Sequence, residues 1–189
     1  MYRCGVDSLK GQLLIAPAYL SDPNFSRSVV LMIQHDEEGA FGVILNRPTG
    51  RSIADVWSEL RGEACGCREQ VHVGGPVAGP LVVLHTEPAL AEMPVVDGIY
   101  CSMSTESIEE IVAEDRKLVR FYAGYAGWGG GQLESELSTG SWLTTPANAR
   151  SVFRTPDEEL WTHATREASG TDAMPRFDDR ADGTDPSLN

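Results

Sequence analysis

Residues 28–46 read SVVLMIQHDEEGAFGVILN. Two β-branched, apolar runs, 28–35 and 41–46, flank a polar segment that contains Gly39. β-Branched side chains favour extended backbone and a short polar stretch with glycine lets the chain reverse, so this segment predicts two strands joined as a hairpin. Asn46-Arg47-Pro48 closes the second strand: Asn can bond to backbone two residues on, and Pro directs the chain out of the sheet.

Outward from the hairpin the periodicity changes. Ser52 precedes Ile53, Val56, Trp57 and Leu60, spaced i, i+3, i+4, i+7, with Asp55 in the first turn, which predicts a helix buried on one face. Apolar runs then predict strands over 71–73, 81–85 and 99–103, and a helix after Ser104 that carries Ile108, Ile111 and Val112. A longer strand over 118–125 leads into a glycine-rich loop and a short helix around Leu133 and Leu137. Thr155, Pro156 and Glu158 make an S/T-x-x-E start for a last helix bearing Leu160 and Trp161. The order is ββαβββαβαβα, a mixed α and β chain.

A chain of 189 residues suits one domain, and 28 acidic against 15 basic residues leave a net charge of −13. That field repels a phosphate backbone, so direct nucleic-acid binding is not expected. The apolar stretch at 13–20 is too short to span a bilayer and lacks the order of a secretory signal, so the expectation is a cytoplasmic protein without a membrane role. Cys4, Cys65, Cys67 and Cys101 then read as reduced thiols. From residue 170 onward turn formers and charges replace apolar periodicity, which divides the chain into a domain at 1–169 and an acidic, disordered tail at 170–189. Within the tail, residues 178–183 resemble a calcium loop, but Arg180 stands at a ligand position and no closing glutamate follows.

No residue set specifies a reaction. Ser28, His35, Asp36 and His85 supply triad residue types, but there is no G-x-S-x-G elbow, and in a regular strand Ser28 and His35 face opposite ways. Cys65-x-Cys67 with His72 lacks the spacing and the second pair of a zinc site. No catalytic residue, metal or cofactor is therefore assigned. Gly124-Tyr-Ala-Gly-Trp-Gly-Gly-Gly-Gln132 lies where backbone amides can cradle a ligand, though without a lysine and with Glu134 beside it, and is also a simple tight turn. Tyr125 and Trp128 would form a contact patch if exposed together. Gly74-Gly75 is a second flexible corner. Arg27, after the Asp22-Pro23-Asn24-Phe25 turn, either pairs internally or grips a carboxylate or phosphate. The candidate ligand- or partner-binding residues are thus Arg27, Asn46, Gly74, Gly75, Tyr125, Trp128, Gln132 and Glu134.

Five motifs in order carry a resemblance: Asp22-Pro23-Asn24-Phe25-Ser26-Arg27-Ser28 after Pro17; His35 with Gly39-Ala40-Phe41-Gly42; Asn46-Arg47-Pro48; Gly74-Gly75-Pro76-Val77; and Gly124-Tyr125-Ala126-Gly127-Trp128 through Gln132-Leu133-Glu134 and Glu136 to Trp142-Leu143. Over residues 9–169 the chain resembles the AlgH/YqgE family. The resemblance implies an α+β single domain whose mixed, bifurcated β-sheet curls into a pseudo-barrel with flanking helices. It carries over no catalytic residue; one bacterial member is linked to transcriptional regulation of exopolysaccharide (alginate) synthesis. The leading expectation is a non-enzymatic binding or regulatory protein acting through a protein partner. The alternatives are a small-ligand binder or enzyme with one pocket formed by Arg27, Asn46 and the 125–134 loop, and a nucleic-acid-associated protein using Arg27, Arg47, Arg51 and Arg61 on one face.

Overall fold

The hairpin at 28–46 is the middle of a ten-stranded sheet in the computed structural model, which describes residues 8–113 and 118–170. Strands β2 (Val29–Asp36) and β3 (Gly39–Ile44) pair antiparallel with a bulge between Met32 and Gln34. Outside β2 lie β1 (Gln12–Ile15) and then β10 (Leu143–Pro146), both antiparallel. Beyond β3 lies β9 (Val119–Gly129), followed by β6 (Val77–His85), β8 (Ile99–Ser102) and β7 (Met93–Val96). The short pair β4 (Pro48–Ser52) and β5 (Gln70–Val73) branches off, because β5 joins β9 in parallel.

β9 is where the sheet divides. Its residues 126–129 pair with β3, its residues 121–123 with β5, and its residues 119–125 with β6. The result is a curled, bifurcated α+β sheet, as the resemblance implied. The glycine-rich stretch expected as a loop is therefore strand as far as Gly129, and only the chain around Gly131, with φ 75°, turns into helix α3 (Gln132–Ser138). Glycine reads as loop in a sequence, but here it admits close backbone approach.

Gly74 and Gly75 show why. Gly74 donates its N–H to the Ala123 carbonyl and accepts from the Ile44 N–H, tying β9 to the end of β3. A Cβ on Gly74 would stand 2.1 Å from the Gly124 carbonyl oxygen, and one on Gly75 would stand 2.1 Å from the Tyr125 carbonyl carbon. The pair is the seam between the branches, not merely a chain reversal.

Both faces of β2 are buried, which accounts for its unbroken apolar run. Val29, Leu31 and Ile33 join the core under α5 (Asp157–Ala168), with α4 (Ala149–Phe153) beside it, while Val30 and Met32 join the core under α3. A third core, built on Val83 and Phe121, is covered by α1 (Ile53–Arg61) and α2 (Thr105–Ala113).

Local signals fare unevenly. Ser52 caps α1, and Asp55 completes a reciprocal capping box with it. Leu60, expected on the buried face, is 69% exposed, because the helix packs through Ile53 and Trp57 in its first two turns. The capping box expected at Thr155 does not form: Pro156 is the cap residue and Thr155 donates its hydroxyl to the Arg150 carbonyl. Pro48 does not end the sheet but opens the exposed strand β4, a place proline tolerates because an edge strand need not donate on both sides. Residues 171–189, most of the expected tail, and Cys4 lie outside the described residues.

Candidate functional site

The 22–28 turn, the Pro76 corner, the end of β9, α3 and the chain entering β10 meet at a cleft of about 410 Å³. Phe25, Trp128 and Trp142 form its aromatic wall, with ring centroids 5.4 to 6.2 Å apart and edge-to-face contacts of Trp142 with both neighbours. Glu136 fixes the wall: one carboxylate oxygen accepts the Trp128 indole N–H at 3.0 Å and the Trp142 indole N–H at 2.8 Å. Its other oxygen accepts from the Gln132 amide at 3.0 Å, one helical turn earlier on the same face of α3. Gln132 in turn accepts the Gly129 N–H, so the strand-to-helix turn is stitched to the same network. Asp22 also lines the cleft, and its carboxylate accepts the N–H groups of Asn24 and Phe25, which sets the turn that presents the Phe25 ring.

Glu136→Ala would leave two almost fully buried indole N–H groups without acceptors. The expected loss is about 2–3 kcal/mol, read as a lower midpoint in urea unfolding, with changed near-ultraviolet circular dichroism from the loosened tryptophans.

The sequence-derived candidates divide among several places. Trp128 and Gln132 line the aromatic cleft. Tyr125 does not join Trp128, because in a strand residues three apart face opposite sides; it packs edge-on against Phe41 at 6.1 Å. Glu134 sits on the other side of α3 from Gln132 and Glu136, 2.9 Å from His35 Nε2. His35 Nδ1 accepts the Leu9 N–H, so Nε2 is the donor to Glu134. The Glu134 carboxyl is held below its usual range by its own backbone amide and by His35. The β2 bulge overturns the simple alternation that set Ser28 and His35 on opposite faces; His35 is engaged by Glu134 and Leu9 instead. Gly74 and Gly75 serve the seam described above.

Arg27 and Asn46 do stay together, in a separate groove of about 420 Å³ with Arg47, Pro48, Trp161 and Thr162. The single pocket expected from Arg27, Asn46 and residues 125–134 is therefore not formed. Asn46 does not close a local turn: its Oδ1 accepts the Val29 N–H and its Nδ2 donates to the Arg27 carbonyl, spanning β2 and β3. Of the four arginines considered for a nucleic acid, Arg27 and Arg47 line this groove, while Arg51 pairs with Glu59 at 2.6 Å and Arg61 with Glu109.

A polar network that lines a further cavity of about 400 Å³ was not legible in the sequence. His72 on β5, Arg120 on β9 and Asp157 at the start of α5 meet beneath the helix. His72 Nε2 lies 2.9 Å from Asp157 Oδ2, Arg120 donates to Asp157 Oδ1, and Arg120 Nη1 donates to the Val152 carbonyl at 3.0 Å. Burial raises the Asp157 carboxyl, but the bonds from His72 and Arg120 outweigh it and hold the group below its usual value. Tyr122, fully buried beside His72, has its hydroxyl pushed up by burial. Burial likewise pushes the Cys101 thiol up to about 12. Among the described residues no three His, Cys, Asp or Glu side chains gather as a metal site, and no helix is long and apolar enough to cross a membrane.

Comparison with known proteins follows the same lines. The AlgH-like family, DUF179, matches residues 13–173. A UPF0301 protein of Streptomyces coelicolor is 40% identical over 196 residues, covering 97% of each chain. One from Chlorobaculum tepidum is 37% identical over 166 residues, covering 85% of this chain and 87% of its own. The solution structure of the AlgH protein from Pseudomonas aeruginosa superimposes with a TM-score of 0.71 at 32% identity, covering 93% of this chain and 98% of that one. The family match, the curated relatives and the structural likeness agree: the chain belongs to the AlgH-like family.

Proposed function

We propose that this protein is a non-enzymatic, cytoplasmic binding protein that acts in regulation by docking a segment of a partner protein in the aromatic cleft. The observation that carries this reading is the pair of tryptophans locked on Glu136. Both indole N–H groups are satisfied within the protein, so the wall is rigid before any partner arrives and little ordering cost falls on binding. The polar groups of the cleft are spent on holding it, which suits recognition better than proton transfer. Asp22 and Glu136 line it within a chain of net charge −13, so the partner segment is basic and carries an apolar side chain.

Short synthetic peptides with one aromatic residue between arginines or lysines, titrated against tryptophan fluorescence, test this. Basic peptides should bind saturably and more weakly as salt rises, and Phe25→Ala should weaken them about tenfold. Equal binding of acidic peptides, no binding, or an affinity untouched by Phe25→Ala would overturn it.

A further inference from the structure

Independently of the aromatic cleft, we infer that the groove of Arg27, Asn46, Arg47 and Trp161 is a binding site for a compact oxyanion, the phosphate or carboxylate group of a small molecule. The first ground is charge. In a chain with 28 acidic and 15 basic residues, Arg51, Arg61 and Arg120 all have carboxylate partners, yet among the described residues neither Arg27 nor Arg47 has one. Arg47 donates one Nη2 N–H to the Ser26 carbonyl, and the Arg27 guanidinium carbon stands 5.4 Å from the centre of the Trp161 ring. A backbone carbonyl and an aromatic face position a guanidinium without neutralising it, and each head group keeps further N–H donors for an oxyanion.

The second ground is positioning. Arg27 is the only described non-glycine residue with a positive φ, 53°. A residue with a Cβ rarely holds that conformation unless its surroundings over-determine it, and such strain gathers at ligand clamps. Here the clamp is visible. Asn46 Nδ2 donates to the Arg27 carbonyl at 3.0 Å while Asn46 Oδ1 accepts the Val29 N–H at 3.0 Å. Trp161, the platform under the guanidinium, is itself pinned by its indole N–H to the Ala16 carbonyl at 2.7 Å.

The remaining groups in the groove set the size of the ligand. Asp157 lies on its wall, but its charge is met by Arg120 and its other oxygen lies 2.9 Å from His72 Nε2, which leaves Glu158 as the one carboxylate in the groove beside two guanidiniums. A volume of about 420 Å³ fits a small metabolite. The overall charge of −13 repels extended polyanions at long range, whereas two arginines lining one groove capture a compact anion at short range.

The test is isothermal titration of the full chain with inorganic phosphate, and separately with succinate, at constant ionic strength. Saturable binding of either is expected, and the tighter of the two names the group recognised. Arg47→Gln should weaken it at least tenfold. Arg27→Gly should do the same while leaving the melting temperature unchanged or higher, since glycine takes a positive φ freely; a merely structural arginine would not separate the two readouts. Arg68→Gln, outside the groove, should change nothing. Failure of both anions to saturate, or binding that survives in both Arg27→Gly and Arg47→Gln, would overturn the inference and leave the aromatic-cleft reading untouched.

Discussion

Gly75→Ala is expected to destabilise the protein by about 4 kcal/mol, lowering the midpoint of thermal unfolding by about 8–16 °C. A Cβ at residue 75 would sit 2.1 Å from the Tyr125 carbonyl carbon, 2.2 Å from its oxygen and 2.3 Å from the Ala126 nitrogen. These are backbone atoms of the sheet's central strand, with no rotamer to turn aside. Relief requires the β5–β6 corner to lift from β9, which also strains the Ile44 and Ala123 bonds through Gly74. Gly50→Ala is the comparison: φ is 75° at residue 50, unlike at Gly75, and nothing lies within 4 Å of the added carbon. It should cost only the left-handed backbone penalty of about 1–2 kcal/mol. Urea unfolding of both variants separates the two effects. Because Pro76 lines the aromatic cleft, Gly75→Ala should also weaken peptide binding there, whereas Gly50→Ala should not.

The seam explains what could be read in the chain and what could not. Periodicity and caps located β2, β3, α1, α2 and the first half of β9, because each carries a run of apolar residues long enough to show its repeat. β1, β4, β7 and β10 are four or five residues each, and β4 is largely exposed, so their strand character comes from neighbours rather than from their own pattern. The glycines of β9 and of the 74–75 corner read as loops one by one. Only their crossing in space shows that each is required by the other. In the same way Trp128 and Gln132 were recognisable as site residues, but Phe25, Glu136 and Trp142 were visible only as parts of motifs. Nothing local says that one carboxylate will hold two indoles. Arg27 and Asn46 were found for the wrong pocket: the turn that carries them was legible, whereas α5, which supplies Trp161 opposite them, arrives from far along the chain.

The network beneath α5 gives the second large effect. Asp157→Ala is expected to lower stability at pH 7 by about 2 kcal/mol, since it leaves the mostly buried Arg120 guanidinium without its counter-charge and His72 Nε2 without its partner. The side chains of Arg120 and His72 are only 12% and 5% exposed, and the cavity of about 400 Å³ that they line with Asp157 lets water replace the carboxylate in part. The pH dependence follows from the direction of the Asp157 shift. Its folded carboxyl lies below the unfolded value, so its contribution is fully present above about pH 4, the ordinary aspartate range, and is lost as the pH falls through the lower, folded value. The wild-type protein should therefore lose stability on acidification below about pH 4. Asp157→Asn should be less stable at neutral pH yet lose less over the same acid range, so that the two curves converge. Denaturant unfolding from pH 7 to pH 3 measures this directly. Parallel curves would mean that Asp157 does not titrate with the fold and that Arg120 is held by the Val152 carbonyl instead. Convergence would identify the Asp157 pairing as the latch that holds the start of α5, and with it Trp161, against the sheet.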